Sequence, residues 1–327
     1  VICQAKSVFK GLNPFIFRIF ASMMKSNKST FGIYLKGIAM GIADLVPGVS
    51  GGTIALITNI YEYLITSINH LNAKEILALF GENRKTSWQK INGPFLLPLF
   101  LGIATSILFL SSIIGFFLEN HALLLWSFFF GLIFASSILI CKDIKQWSPG
   151  TIIGLIFGVL ISFLISFLSP AEGTETLPYL FLCGMLMIMA MILPGISGAF
   201  ILVLLGVYET ALETVELVRS FHTQGFMNLL AFGLGAIIGL KLFAHWVGKL
   251  YLNYRDTLLA TMSGFMFGSL YKVWPWKQYT TDETRDQIAV LPTFEHSNSE
   301  LWISLGFILI GILVIYTFHK MSQSHKQ

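Results

Sequence analysis

Two short stretches place proline, glycine and serine inside strongly apolar sequence. They are PGVSGGT, from Pro47 to Thr53, and PGISG, from Pro194 to Gly198. Proline removes a backbone N–H donor and disfavours helix in the residue before it, whereas serine is a preferred N-cap of a following helix. Each stretch therefore predicts a helix that stops and a second helix that starts a few residues later.

The start of a helix at such a break is suited to bind an anion. Its first N–H groups are unpaired and carry partial positive charge, and glycine lets a ligand approach the backbone closely. One proline-glycine pair could be only a kink, but the recurrence favours a phosphate or carboxylate site. The predicted breaks are Pro47, Gly48, Pro194 and Gly195, and the predicted ligands are Ser50, Gly51, Gly52, Thr53, Ser197 and Gly198.

Two ionisable residues lie within apolar sequence near this predicted site. Asp44 precedes the first break, and Met191 stands at the equivalent place in the second. An acid inside a membrane segment is a functional candidate, so Asp44 either binds a coupling H⁺ or Na⁺ or caps the hairpin. Lys241 lies in the run GLGAIIGLKLFAHWVGKL. It either extends towards the interface or pairs with the bound anion, and we include it among the predicted phosphate ligands.

Three further charged residues are candidates for coupling or gating. Glu62 and Glu209 each follow a tyrosine at equivalent positions beyond the two breaks, and Arg219 lies where the second broken segment should leave the membrane. The glutamates could equally be solvated helix ends, and Arg219 could bind a headgroup or face water. The three cysteines and seven histidines are dispersed, so we predict no metal site and no cofactor besides a coupling ion.

The composition is that of a membrane protein. Of 327 residues, 55% are hydrophobic and 12% are charged, and the mean hydropathy is +0.74, whereas a soluble domain has about 25% charged residues. The apolar runs are about 20 residues long, the length of a membrane-spanning helix. The basic residues lie at helix ends, so the net charge of +4 does not predict nucleic-acid binding. We identify no cleavable signal peptide.

The two breaks belong to an internal duplication. Residues from Pro47 to Glu62 match those from Pro194 to Glu209, and later matches, such as Gly102 with Gly235, have a shorter spacing. The predicted organisation begins with a basic amphipathic interfacial segment at 1–30. A first repeat at 31–168 has a hairpin at 33–68 and spans at 94–118, 122–140 and 151–168. A second repeat at 177–319 has a hairpin at 177–218 and spans at 226–250, 257–274 and 301–318.

The basic residues predict the topology. If each broken segment enters and leaves on one side, most of the 21 lysines and arginines fall on one side with both termini, which the positive-inside rule makes cytoplasmic. An odd number of crossings in each half then inverts one half relative to the other. The predicted fold is an all-α polytopic membrane protein with two inverted-topology repeats, each a re-entrant broken-helix hairpin plus three transmembrane helices.

The motifs GIADLVPGVSGGTIALITNIYEYL and LPGISGAFILVLLGVYE resemble the bacterial and archaeal polyprenyl-phosphate transporters, formerly a family of unknown function. The resemblance covers nearly the whole chain after Phe31. It implies a bacterial cytoplasmic-membrane protein whose partner is undecaprenyl phosphate or a related lipid. It also implies that the protein flips this carrier from the outer to the inner leaflet, for reuse in the synthesis of peptidoglycan and other surface polymers.

Two alternative functions use the same residues. A carrier of a soluble organic or inorganic anion could bind its substrate at the same breaks. An integral-membrane polyprenyl-pyrophosphate phosphatase would use Ser50 or Ser197 as nucleophile or phosphate ligand, but that chemistry favours an arginine beside the serine, where this chain has Gly51 and Gly198. The chain has no G-x-x-x-x-G-K-[ST] motif, so ATP is not the expected driver. We therefore predict a lipid transporter rather than an enzyme.

Overall fold

The computed structural model describes residues 29–46, 48–82, 84–279, 287–290 and 298–323. These residues are almost entirely helical, as predicted, with the addition of one short antiparallel ribbon. The predicted interfacial segment at 1–30 lies outside the described residues except for its last two positions, and Pro47 lies outside them as well.

The first half of the chain is built from nine helices within the described residues. They are α1 (Thr30–Leu45), α2 (Gly51–Ile57), α3 (Tyr61–His70), α4 (Ala73–Ala78), α5 (Arg84–Lys90), α6 (Gly93–Thr105), α7 (Ser111–Asn120), α8 (Ala122–Lys142) and α9 (Pro149–Ile165). A π-helical turn at Ser106–Leu110 joins α6 to α7. The polar stretch at 69–93 thus contains the two short helices α4 and α5.

The second half repeats this order with fewer connecting elements. Its described elements are α10 (Leu177–Ile192), α11 (Gly198–Leu204), α12 (Tyr208–Arg219), α13 (Thr223–Asn253), α14 (Arg255–Ser269), the strands β1 (Lys277–Tyr279) and β2 (Gln287–Ala289), and α15 (Asn298–Gln323). The two strands pair in antiparallel register between α14 and α15.

Helices long and apolar enough to cross a membrane occur at four of the six predicted spans: Gly93–Asn120, α8, α13 and Glu300–Thr317. The helices at the other two are shorter, with 17 residues in α9 and 15 in α14. Most of α14 is buried, because α9 and α8 both pack against it. A helix that is enclosed by protein need not present a full hydrophobic length to lipid.

Each broken segment is interrupted twice. The first interruption was predicted, and there Gly48 and Gly195 have φ values of +87° and +86°, which favour glycine. The second interruption was not predicted. It lies between α2 and α3 at Asn59 (φ 57°) and between α11 and α12 at Gly206 (φ 65°). The two segments therefore share the same unusual backbone at both interruptions.

The main helix–helix contacts recur when each helix is replaced by its equivalent in the other half. Helix α1 packs against α6 as α10 packs against α13, and α9 packs against α14 as α15 packs against α8. In the first two pairs, equivalent glycines approach equivalent carbonyl oxygens. A Cβ added to Gly37 would overlap the carbonyl oxygen of Leu99, and one added to Gly184 would overlap that of Phe232. The spacings between these equivalent residues are those of the sequence repeat.

The other two helix pairs show the same equivalence. A Cβ on Gly158 would overlap the carbonyl oxygen of Thr261, and a Cβ on Gly311 would overlap that of Phe128. Helices in lipid associate through close backbone packing at small residues. These glycines therefore bring the two halves together along their lengths.

The connecting segments meet in pairs at the two ends of the bundle. At one end the backbone N–H of Gln146, after α8, donates to Asp256 at the start of α14 at 2.9 Å. At the other end the Lys277 Nζ, in β1, lies 4.0 Å from the centroid of the Trp126 ring at the start of α8. Each end is thus closed by contacts between segments from different halves.

Gly102→Val should disrupt the pairing of α1 with α6. The added side chain would overlap the carbonyl oxygen of Tyr34, and overpacking of this kind costs about 1–3 kcal/mol or more. Gly115→Val is the matched control, because nothing lies within 4 Å of its Cβ position. Thermal unfolding in detergent should show a clearly lower Tm for Gly102→Val than for the control, and equal values would contradict the close packing.

Candidate functional site

The two proline-glycine breaks touch each other. The Ser50 hydroxyl donates to the Met191 carbonyl oxygen at 2.8 Å, and the Gly195 N–H donates to the Thr53 hydroxyl oxygen at 3.0 Å. Ser50 and Thr53 are both fully buried. We call residues 44–46, 48–53 and 191–198 the break junction. The structure thus brings the two breaks, with the predicted ligands Ser50 and Thr53, into one place.

The start of α2 is occupied by side chains of its own segment. An oxygen of the Asp44 carboxylate accepts from the Gly51 N–H at 2.7 Å, and the Ser50 hydroxyl oxygen accepts from the Gly52 N–H at 3.1 Å. Helix α2 therefore starts and is capped as predicted. Asp44 caps α2 in this structure, so its carboxylate stands where the sequence placed an anion.

The start of α11 lacks this carboxylate. Met191 replaces Asp44 in the second half, and Gly198 packs against Met191 and Met187. Ser197 caps the helix by accepting from the Phe200 N–H at 3.5 Å, a long bond. The two helix starts are therefore not equivalent, and α11 is the one better able to accept an anion.

A small cavity with both apolar and polar lining lies beside the break junction. It has a volume of about 10 Å³ and is bordered by Gly48, Gly195, the side chain of Lys272 and four serines, Ser162, Ser166, Ser197 and Ser269. A cavity of this volume holds about one water molecule. The cavity is therefore closed to a phosphate. Ser162, Ser197 and Lys272 bring hydroxyl and ammonium groups to its border, whereas the Ser166 and Ser269 hydroxyls already donate to the carbonyl oxygens of Ser162 and Met266.

Lys272 was not among the predicted ligands. Its side chain contacts Gly48, and its Nζ lies 4.0 Å from the centroid of the Phe200 ring. The sequence placed it at the outer end of the predicted span 257–274, where nothing in its spacing pointed to the breaks. One signal was available, because the equivalent position in the first half is Leu139, an asymmetry like that between Asp44 and Met191.

A second lysine lies next to Lys272 at this end of the bundle. The Lys277 Nζ donates to the Lys272 carbonyl oxygen at 2.7 Å. Burial, together with the charge of Lys272, lowers the pKa of Lys277 to about 7. A positive charge is therefore costly at Lys277, and we assign any role in anion binding to Lys272.

The remaining predicted residues lie elsewhere. The Lys241 Nζ donates to the carbonyl oxygens of Ile68 and Asn69 at 2.9 and 3.0 Å, so it caps the C-terminal end of α3 instead of facing the break junction. Glu62 lines a separate cavity between α3 and α13. Glu209 and Arg219 are exposed on α12. The described residues contain no cluster of three or more potential metal ligands.

Different residues support the second interruption in the two halves. The buried Lys36 Nζ donates to the Thr58 carbonyl oxygen at 3.0 Å, and the Tyr179 hydroxyl donates to the Leu205 carbonyl oxygen at 2.9 Å. Thr58 and Leu205 are equivalent in the repeat, but their donors are not. The C-terminal ends of α2 and α11 are thus fixed at the same place by different chemistry.

The comparisons with known proteins agree with one another. A family model described as VCA0040-like, undecaprenyl phosphate translocase-like, matches residues 40–291. A protein of Vibrio cholerae named polyprenyl-phosphate transporter is 41% identical over 302 residues, which cover 89% of this chain and 96% of that protein. A protein of Staphylococcus aureus with the same name is 29% identical over 305 residues, 89% and 97% of the two chains. No solved structure matches.

Thr53→Val should weaken the break junction. Valine has nearly the shape of threonine, but it leaves the buried Gly195 N–H without its acceptor, which costs about 1–3 kcal/mol. Thr223→Val, at an exposed position, is the control. Chemical or thermal unfolding should show a loss of stability for Thr53→Val alone. Unchanged stability would mean that this bond does not hold the two breaks together.

Proposed function

The chain belongs to the undecaprenyl phosphate translocase-like family, and we propose that it moves undecaprenyl phosphate from the outer to the inner leaflet of the bacterial cytoplasmic membrane. The lipid carrier would then be reused for cell-envelope synthesis. Two relatives of nearly equal length are named transporters, and the chain is a transporter rather than an enzyme. The observation that carries the proposal is the meeting of the two breaks beside a cavity lined by serines and Lys272.

We propose that the phosphate headgroup binds between the start of α11 and Lys272. Ser197 and Ser162 would donate to the phosphate oxygens, and the ammonium of Lys272 would neutralise charge through strong charge-assisted bonds. A phosphate that crosses bare hydrocarbon loses its hydration at a high cost. The break junction would replace part of that hydration, while the apolar tail remained in lipid.

The topology proposed for this function is inverted. The recurrence of the helix–helix contacts supports two equivalent halves. The contact of Gln146 with Asp256 supports a location of the loops after α8 and α13 on the same side of the membrane. Those loops and the adjoining helix ends carry Lys142, Lys145, Lys249 and Arg255, which favours a cytoplasmic location. The hairpins would then be re-entrant from opposite sides, with both termini in the cytoplasm.

Transport also requires the break junction to open. A cavity of about 10 Å³ is too small for a phosphate, so the contacts between the two breaks must part during the cycle. We propose that Asp44 couples this step to an ion. Protonation or Na⁺ binding would weaken its bond to the Gly51 N–H, and the start of α2 could then share the phosphate with α11.

Lys272→Gln should reduce lipid transport at least about tenfold, since one lost charge-assisted bond to a phosphate is worth about 1.5–3 kcal/mol. Lys272→Arg should retain part of the activity, and Ser197→Ala should cause a smaller loss. Lys142→Gln, at an exposed position, is the control. The measurement is transfer of undecaprenyl phosphate between the leaflets of proteoliposomes.

Two results would count against this proposal. Wild-type transport by Lys272→Gln would remove the phosphate site from the break junction. Movement of a soluble phosphate or organic anion by the wild type, without movement of the lipid, would establish the soluble-anion carrier instead.

The proposed topology predicts the accessibility of single cysteines in a chain whose own three cysteines are replaced by serine. A membrane-impermeant maleimide added to intact cells should label a cysteine at Phe221, which is 85% exposed after α12, but should not label one at the exposed Lys85 in α5. After lysis both should react. Labelling of both positions in intact cells would contradict the inverted arrangement.

A further inference from the structure

A second and much larger cavity lies between α3 and the C-terminal part of α13. Its volume is about 380 Å³, and its walls include Tyr61, Glu62 and His70 from α3 and His245, Lys249 and Tyr251 from α13. It shares no lining residue with the cavity at the break junction. Small-molecule sites commonly start at about 300 Å³, so this space is large enough for a headgroup and the first carbons of its tail.

Tyr61 is the reason to expect a ligand in this cavity. Its side chain is 2% exposed, and its hydroxyl has no hydrogen-bond partner in the part of the chain that the structure describes. Buried polar groups are nearly always paired, because leaving one unpaired costs free energy. Tyr61 borders the cavity, so an acceptor that binds there can pair with this hydroxyl.

The other side chains of the cavity indicate the charge of that acceptor. Lys249 supplies an ammonium group, and His70 and His245 supply two imidazoles that can donate N–H groups. Glu62 supplies a carboxylate, which can accept from a protonated phosphate oxygen or from a neighbouring donor. Donors predominate, so the wall suits an anion with several acceptor oxygens.

The surroundings of the cavity favour a lipid. On the same part of α13, Trp246 is 58% exposed and Leu252 is 82% exposed, and Tyr254, directly after the helix, is 64% exposed. Tryptophan and tyrosine concentrate at the headgroup level of a membrane. The cavity thus opens beside an aromatic and apolar surface that can take a hydrocarbon chain.

We propose that this cavity is a second binding site for the phosphomonoester headgroup of a membrane lipid, at the end of the bundle opposite Lys272 and Lys277. The inference rests on the proposed function, because such a site would hold the transported headgroup after it leaves the break junction. The site is asymmetric, since the positions equivalent to Thr66, Asn69 and His70 are Glu213, Glu216 and Leu217. A single binding site of this kind, occupied before the headgroup is released, would serve one leaflet.

The test is binding of a short-chain prenyl phosphate to the purified full-length chain in nanodiscs, measured by native mass spectrometry. Lys272→Gln serves as the background, so that the bound lipid reports on the second cavity. Adding Lys249→Gln or His245→Gln should weaken binding about tenfold, and Tyr61→Phe about fivefold. Lys142→Gln and His222→Gln, both at exposed positions, are the matched controls. Inorganic phosphate and phosphatidylglycerol are competitors that separate a free anion and a phosphodiester from the proposed lipid.

The Tyr61→Phe variant also separates binding from stability. Removing an unpaired buried hydroxyl should leave the Tm unchanged or raise it, even as binding weakens. The inference is overturned if Lys272→Gln alone abolishes all binding, if the cavity variants bind as the controls do, or if inorganic phosphate competes as well as the lipid. Those results would leave the proposed function intact, which fails separately if the wild type transports no polyprenyl phosphate.

Discussion

Backbone groups that a broken helix leaves inside an apolar bundle must be satisfied by protein, because lipid offers no hydrogen bonds. In this chain the hydroxyls of Ser50 and Thr53, from the first break, satisfy backbone groups of Met191 and Gly195 in the second. The second break therefore depends on the first, whereas the start of α2 is capped by its own segment. The glycine-lined pairs of α1 with α6 and α10 with α13 position the two segments so that these bonds can form.

The scaffold is duplicated, but its polar side chains are not. Backbone conformations recur at Gly48 and Gly195, whereas Asp44 is matched by Met191 and Lys272 by Leu139. In the inverted arrangement proposed above, two equivalent halves can present one junction to either side of a membrane. The asymmetric charges leave the start of α11 as the better anion site and allow a carboxylate to compete at α2. The chemistry of transport is therefore expected in the differences between the halves.

Local signals in the sequence were sufficient for the breaks. Proline, glycine and an N-capping serine act within a few residues, so the starts of α2 and α11 could be predicted, and the long motifs identified the family. The proximity of Lys272 to Gly48 and the capping of α3 by Lys241 depend on tertiary packing between distant segments. The second interruption at Asn59 was missed for a related reason, since the left-handed conformation there is supported by Lys36 from another helix.

The central claim is that the two breaks must separate for the phosphate to pass, and a disulfide across the break junction tests it most directly. Ser50→Cys and Met191→Cys would be introduced into a chain whose own cysteines are replaced by serine, and the cross-link would be verified by mass spectrometry. Oxidation should stop transfer of undecaprenyl phosphate in proteoliposomes, and reduction should restore it in the same sample. Equal transport by the cross-linked and reduced chains would show that the headgroup takes another route.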